Sequence, residues 1–135
     1  MIKKLTHTSL IVEDQAKALN FFVEKMGFEK RDDNPMGPNQ RWLTIGCKQQ
    51  PDIEIILQAI DWGMDNATPE ERRAQIGKQG LCFSSDDIQA DYKALGQKNI
   101  KVLGKPEKMP WGYQLIFEDL YGNRHLLVQS FNVSS

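Results

Sequence analysis

At 135 residues, with 40% hydrophobic and 26% charged side chains, the chain has the size and composition of one ordinary globular domain. Its net charge is −1 and no five like charges run together, which removes any electrostatic case for nucleic acid or an anionic membrane surface. No apolar run approaches the ~18 residues that span a bilayer. The basic start Met1-Ile2-Lys3-Lys4 meets Thr6, His7 and Thr8 before a secretory apolar region develops. A cytoplasmic protein is expected, with Cys47 and Cys82 as buried thiols in strand-like segments.

In chain order, residues 5–12 are β-branched and apolar with polar residues interleaved, which predicts a strand. Asp14 can cap the helix predicted over 16–26, whose Ala18, Leu19, Phe22 and Met26 share one face. Gly27 is placed to stop it in the left-handed conformation. Three strands follow, at 28–31, 41–47 and 52–59, with the turn-rich stretch Asn34-Pro35-Met36-Gly37-Pro38-Asn39 after the first.

Thr68-Pro69-Glu70-Glu71 combines a capping hydroxyl, a proline at the first helical position and a glutamate three residues on. It predicts a short helix in the linker, with Glu70, Glu71, Arg72 and Arg73 as a solvated face. The order then repeats. A strand over 80–85 leads to a helix over 88–97, capped by Asp87, with Ala90, Ala94 and Leu95 as its buried side and Asn99 in the role of Gly27. Strands are predicted at 100–103, 113–118 and 123–129, the last two joined by the turn Asp119-Leu120-Tyr121-Gly122. His7 to Asp14 can be laid on Gly80 to Asp87 with matching apolar parity, as an internal duplication would leave.

The opening His7-Thr8-x-Leu10-x-Val12-x-Asp14, followed by Ala18, Phe21-Phe22 and Met26-Gly27-Phe28, resembles a module of the vicinal-oxygen-chelate superfamily, which includes glyoxalases, bleomycin resistance proteins and extradiol dioxygenases. Phe83-Ser84-Ser85-Asp86-Asp87-Ile88-x-Ala90 is similar to the start of that family's second module. The stretch from Phe117 to Gln129 is similar to its closing strands, with Asp-Leu-Tyr-Gly where the family has Asp-Pro-Asp-Gly. The resemblance implies an α+β fold of two tandem βαβββ modules forming an open curved-sheet barrel with a cleft. The single domain 1–135 would consist of a first module over 1–63, a linker with a short helix over 64–79, and a second module over 80–135.

Metal-dependent members of the family place up to four ligands on cleft-facing strand positions. Strand alternation separates His7, Ser9 and Ile11 from Leu10 and Val12, and Glu54, Ile56 and Gln58 from Ile53, Ile55 and Leu57. His7 and Glu54, with Gln58 as the alternative to Glu54, match the first module's ligand positions. In the second module the matching residues are Gly80 and Leu126, which cannot ligate, and parity turns His125 into the core. Two donors do not make a stable site, so no metal and no cofactor are expected.

A metal-free cleft of this family needs aromatic plates and a few convergent polar groups. The candidates for binding a small organic molecule are His7, Trp42, Glu54, Gln58, Trp111 and Tyr113, while Trp62-Gly63 closes the first module. Three readings follow. The first is a binding or sequestering protein for a small planar or cationic molecule, with Glu54 as counter-charge. The second is a lyase, isomerase or dioxygenase, metal-dependent or using His7 or Glu54 as acid and base; no catalytic residue is assigned. The third is a structural module whose cleft is filled by its own side chains or by a partner. By family analogy the chain is expected to form a homodimer.

Overall fold

Two aspartates organise the two halves in the same way. The Asp14 carboxylate accepts the Lys17 amide at 3.0 Å, and that of Asp87 accepts the Ala90 amide at 3.1 Å. Each caps a helix that follows the first strand of its module. The computed structural model describes residues 1–38, 40–62 and 66–131. Asn39 of the turn-rich stretch, Gly63 at the first module's expected end, and the first residues of the expected linker lie outside the described residues.

The chain divides into two units, Met1–Ile76 and Gly77–Ser135. The first contains β1 (His7–Val12), α1 (Gln15–Asn20), a π-helical turn (Phe21–Lys25), β2 (Glu29–Pro35), β3 (Arg41–Gly46), β4 (Glu54–Ala59) and α2 (Pro69–Gln75). The second contains β5 (Cys82–Ser84), α3 (Ile88–Gln97), β6 (Glu107–Met109), β7 (Gly112–Glu118) and β8 (Arg124–Ser130). The sheet orders are β1-β4-β3-β2 and β5-β8-β7-β6, and in each the module's first strand runs parallel to its last. The fold is α+β with two βαβββ modules, and neither sheet closes on itself.

In the first unit Leu10, Val12, Leu43, Ile45, Ile55 and Leu57 are buried together with Ala18, Phe21 and Phe22 of the helical segment. The π-helical turn departs from the regular helix expected over 16–26. The Met26 amide reaches back five residues to the Phe21 carbonyl at 3.2 Å. That extra residue widens the turn. Phe21 and Phe22 are both buried, edge to face with ring centroids 5.2 Å apart, and Met26 is left half-exposed. Gly27 then reverses the chain at φ +77°.

Several other expectations are corrected. The strand expected at 100–103 is reduced to a single bridge from Val102 to Phe117. Gly104, at φ +92°, turns the chain away, and β6 takes the rest of β7's outer edge through pairs such as Lys108 with Tyr113. Arg72 belongs to no solvated face: it is buried, and its Nη1 donates to the Ile60 carbonyl at 2.9 Å. On α3, Ala90 and Ala94 are exposed while Ile88 and Leu95 are buried. Cys82 is exposed and Cys47 half-buried, so the two are not a matched pair of core thiols. None of the helices described is long and apolar enough to cross a membrane.

The second unit's core carries polar groups as well. Leu115, Phe117 and Leu127 share it with Asp119, Asn123 and His125, all of them buried. The Leu81 amide donates to His125 Nδ1 at 3.0 Å, so Nε2 holds the ring proton and donates to Asp119 Oδ2 at 2.8 Å. Asn123 Nδ2 donates to the same oxygen at 3.0 Å, and Asn123 Oδ1 accepts the Gly77 and Gln79 amides. His125 is thus a core residue with both ring nitrogens engaged.

Candidate functional site

The parallel pairing of β1 with β4 places His7 level with Glu54, and Ile11 level with Gln58. Because side chains alternate, His7, Ser9, Ile11, Glu54, Ile56 and Gln58 point to the face away from Leu10, Val12, Ile55 and Leu57. From β3, Thr44 pairs with Ile56, and two residues further along the antiparallel pair Trp42 comes beside Gln58. The first unit therefore assembles four of the six predicted site residues on the face of one sheet opposite Leu10, Val12, Ile55 and Leu57.

Within this set the contacts are specific. His7 Nε2 lies 3.8 Å from Glu54 Oε1, and its other ring nitrogen is 2.9 Å from the Thr6 hydroxyl. Thr44 Oγ1 donates to Glu54 Oε1 at 2.6 Å and accepts the Asp32 amide at 2.9 Å. A backbone donor thereby orients the hydroxyl, and the hydroxyl orients the carboxylate. The Trp42 ring centroid is 5.9 Å from that of His7 and 6.4 Å from that of Trp62, which meets it edge-on at 89°. Gln58 is 5% exposed, and its Nε2 has no hydrogen-bond partner among the described residues. Leaving such a donor unpaired costs roughly 1–3 kcal/mol.

Thr44 and Trp62 belong to this constellation, although neither is a predicted binding residue. Alternation alone could have found Thr44, two residues from Trp42 on the same strand. Trp62 follows β4 in a turn, where no periodicity marks it.

The two remaining candidates lie in the second unit. Tyr113 pairs with Gln129, whose Oε1 accepts the Ile88 amide at the start of α3. Tyr113 is therefore on the helix-bearing face of its sheet, the opposite kind of face from that carrying His7 and Glu54. It packs edge to face on Phe131 at 5.5 Å. Trp111 is 52% exposed beside the β6–β7 turn.

Among the described residues the donor set on this face does not fit a metal. His7 and Glu54 supply two ligands, and Glu54 already receives the Thr44 hydroxyl. In the second unit Leu126 is level with Cys82 rather than Gly80, while a Cβ on Gly80 would come within 2.6 Å of the Arg124 carbonyl oxygen. None of Gly80, Arg124 and Leu126 can ligate a cation. Among the described residues no group of three or more His, Cys, Asp or Glu side chains is arranged to hold an ion.

A groove of about 790 Å³ lies elsewhere in the first unit, lined by Asp14, Gln15, Asp33, Arg41, Ile60 and Arg73 among others. It opens past the far ends of β1 and β4, ~17 Å along the strands from His7. Two ion pairs lie in it, Arg41 with Asp33 at 3.3 Å and Arg73 with Glu13 at 3.9 Å, and Arg41 Nε is buried with no hydrogen-bond partner among the described residues. Among the described residues that line it there is no aromatic side chain. The His7 face sets aromatic rings beside convergent polar groups, which the lining of the groove does not, and is the stronger candidate.

A sequence model described as "Glyoxalase/Bleomycin resistance protein/Dioxygenase superfamily" matches residues 4–125. The uncharacterized protein YetH of Bacillus subtilis (strain 168) is 33% identical over 128 residues, covering 94% of this chain and 98% of that protein. The crystal structure of UcmS2 superposes with a TM-score of 0.83 at 32% identity, over 95% of this chain and 98% of that one. TnmS3, an antibiotic binding protein from Streptomyces sp. CB03234, superposes with a TM-score of 0.75 at 32% identity, over 96% and 97%.

Proposed function

We propose, from the premise that this chain belongs to the Glyoxalase/Bleomycin resistance protein/Dioxygenase superfamily, that it binds and sequesters a small planar organic molecule without a metal. The observation that carries this reading is the one face of the first sheet on which His7, Trp42, Glu54 and Gln58 lie together. Trp42 and Trp62 supply perpendicular aromatic surfaces, Glu54 a carboxylate already oriented by Thr44, and Gln58 an amide with hydrogen-bonding capacity to spare. The likeness to an antibiotic binding protein at 32% identity supports a binding role.

The test is titration of the purified protein with bleomycin and with proflavine, a planar cation, followed by tryptophan fluorescence and thermal shift. Binding raises the melting temperature by mass action, and Trp42→Ala is expected to abolish it. A Trp42→Ala protein that binds like the wild type would rule out this face. Metal analysis of protein purified without chelator is expected to find no stoichiometric transition metal.

The 3.8 Å approach of His7 to Glu54 favours a second reading, acid–base catalysis by a lyase or isomerase. Turnover of a bound carbonyl compound that is lost in His7→Gln would select it. The proposal includes a cytoplasmic homodimer, checked by a solution mass of two chains.

A further inference from the structure

We infer that Gln58 reads a hydrogen-bond acceptor on the ligand, and that the site therefore selects planar aromatic molecules with a donor group at one end and a carbonyl-type oxygen at the other. The inference rests on the binding reading above and names the chemical class it takes.

The two ends of the face differ in what they ask of a ligand. At the His7 end, Glu54 presents a carboxylate, a pure acceptor that suits an amine or hydroxyl on the ligand. The other end, four residues along β4 and so ~13 Å away, holds the buried Gln58 amide, whose Nε2 has no partner among the described residues. A donor that is 5% exposed and otherwise unpaired is relieved of the penalty of an unmade hydrogen bond when an acceptor arrives. Trp42 spans the interval. Its backbone lies beside Gln58, while its indole reaches to within 5.9 Å of the His7 ring. A flat ligand lying along that indole meets Glu54 at one end and Gln58 at the other.

The ligand pair 6-amino-2-acetylnaphthalene and 6-amino-2-ethylnaphthalene tests this directly, since both carry the amine at one end of a flat ring system and differ only in the carbonyl oxygen at the other. Calorimetric titration of the wild type is expected to favour the ketone by about tenfold, as one well-made hydrogen bond supplies. In Gln58→Leu the preference should vanish, with ketone affinity falling to that of the hydrocarbon and hydrocarbon affinity staying within about twofold. Unliganded Gln58→Leu should melt at or above the wild-type temperature, because the substitution removes an unpaired buried donor. Gln58→Met, which keeps the length of the side chain and removes the donor, should likewise lose the preference and provides a second variant if Gln58→Leu folds poorly.

A tenfold preference that survives in Gln58→Leu, or equal wild-type affinities for the two ligands, overturns the inference and leaves the binding reading standing. Binding of both ligands that is unaffected by Trp42→Ala overturns the binding reading itself, and the inference with it.

Discussion

Replacing Asp119 by Asn changes one atom in the buried network of the second unit and should be among the most damaging isosteric substitutions in the chain. Asp119 Oδ1 accepts the Tyr121 and Asn123 amides at 2.9 and 3.1 Å, and an Asn carbonyl oxygen preserves both bonds. The other oxygen accepts His125 Nε2 at 2.8 Å and Asn123 Nδ2 at 3.0 Å. In the variant an amide nitrogen would face these two donors. His125 cannot switch tautomer to relieve the conflict, since its Nδ1 already accepts the Leu81 amide. Two buried donors left unpaired at roughly 1–3 kcal/mol each give a loss of about 4 kcal/mol, or a melting temperature lower by roughly 10 °C or more. Burial pushes the Asp119 carboxyl up, but the hydrogen bonds from His125, Asn123 and Tyr121 outweigh it and hold the group below the usual 3.8. A depressed carboxylate contributes stability that is complete above the unfolded value and is lost as pH falls through the folded one. Urea denaturation of wild type and Asp119→Asn should therefore show its widest gap near neutral pH and a narrowing gap below about pH 3.8. A loss under about 1 kcal/mol at pH 7, or the same gap at pH 3 as at pH 7, would refute the reasoning.

Three further outcomes are expected. A Cβ at Gly112 would lie 2.1 Å from the Gln129 carbonyl oxygen of the neighbouring strand, so Gly112→Ala should cost more than about 3 kcal/mol or prevent folding, read by circular dichroism. Thr44→Val removes the hydroxyl between the Asp32 amide and Glu54, and should cost about 1–2 kcal/mol in denaturant titration while weakening proflavine binding through a less ordered Glu54. Iodoacetamide should label exposed Cys82 before Cys47, whose thiol burial pushes up despite the nearby Arg31, with Cys47 gaining reactivity only as pH rises; mass spectrometry of timed samples reads the order.

Much of the fold was legible because its signals are local. Asp14 and Asp87 cap helices where a short polar side chain precedes an apolar period, and Thr68 caps one where a proline and a glutamate follow it. Gly27 and Asn99 adopt positive φ where those periods end. Alternation along β1 and β4 separates His7 and Glu54 from Leu10 and Leu57, since pleating sends neighbouring side chains to opposite faces whatever the partner strand. The parity of His125 followed from the same rule.

What alternation cannot supply is which residues of distant strands stand level. The β1–β4 register brings His7 to Glu54 across 46 intervening residues, and the β5–β8 register sets Leu126 against Cys82 rather than Gly80. The burial of Arg72, the bond from Thr44 to Glu54 and the burial of Gln58, whose Nε2 finds no partner among the described residues, also depend on contacts between segments far apart in the chain. Capping and periodicity are short-range properties of a polypeptide, written in neighbouring residues. Register, burial and hydrogen-bond satisfaction are long-range, and only the packed structure decides them.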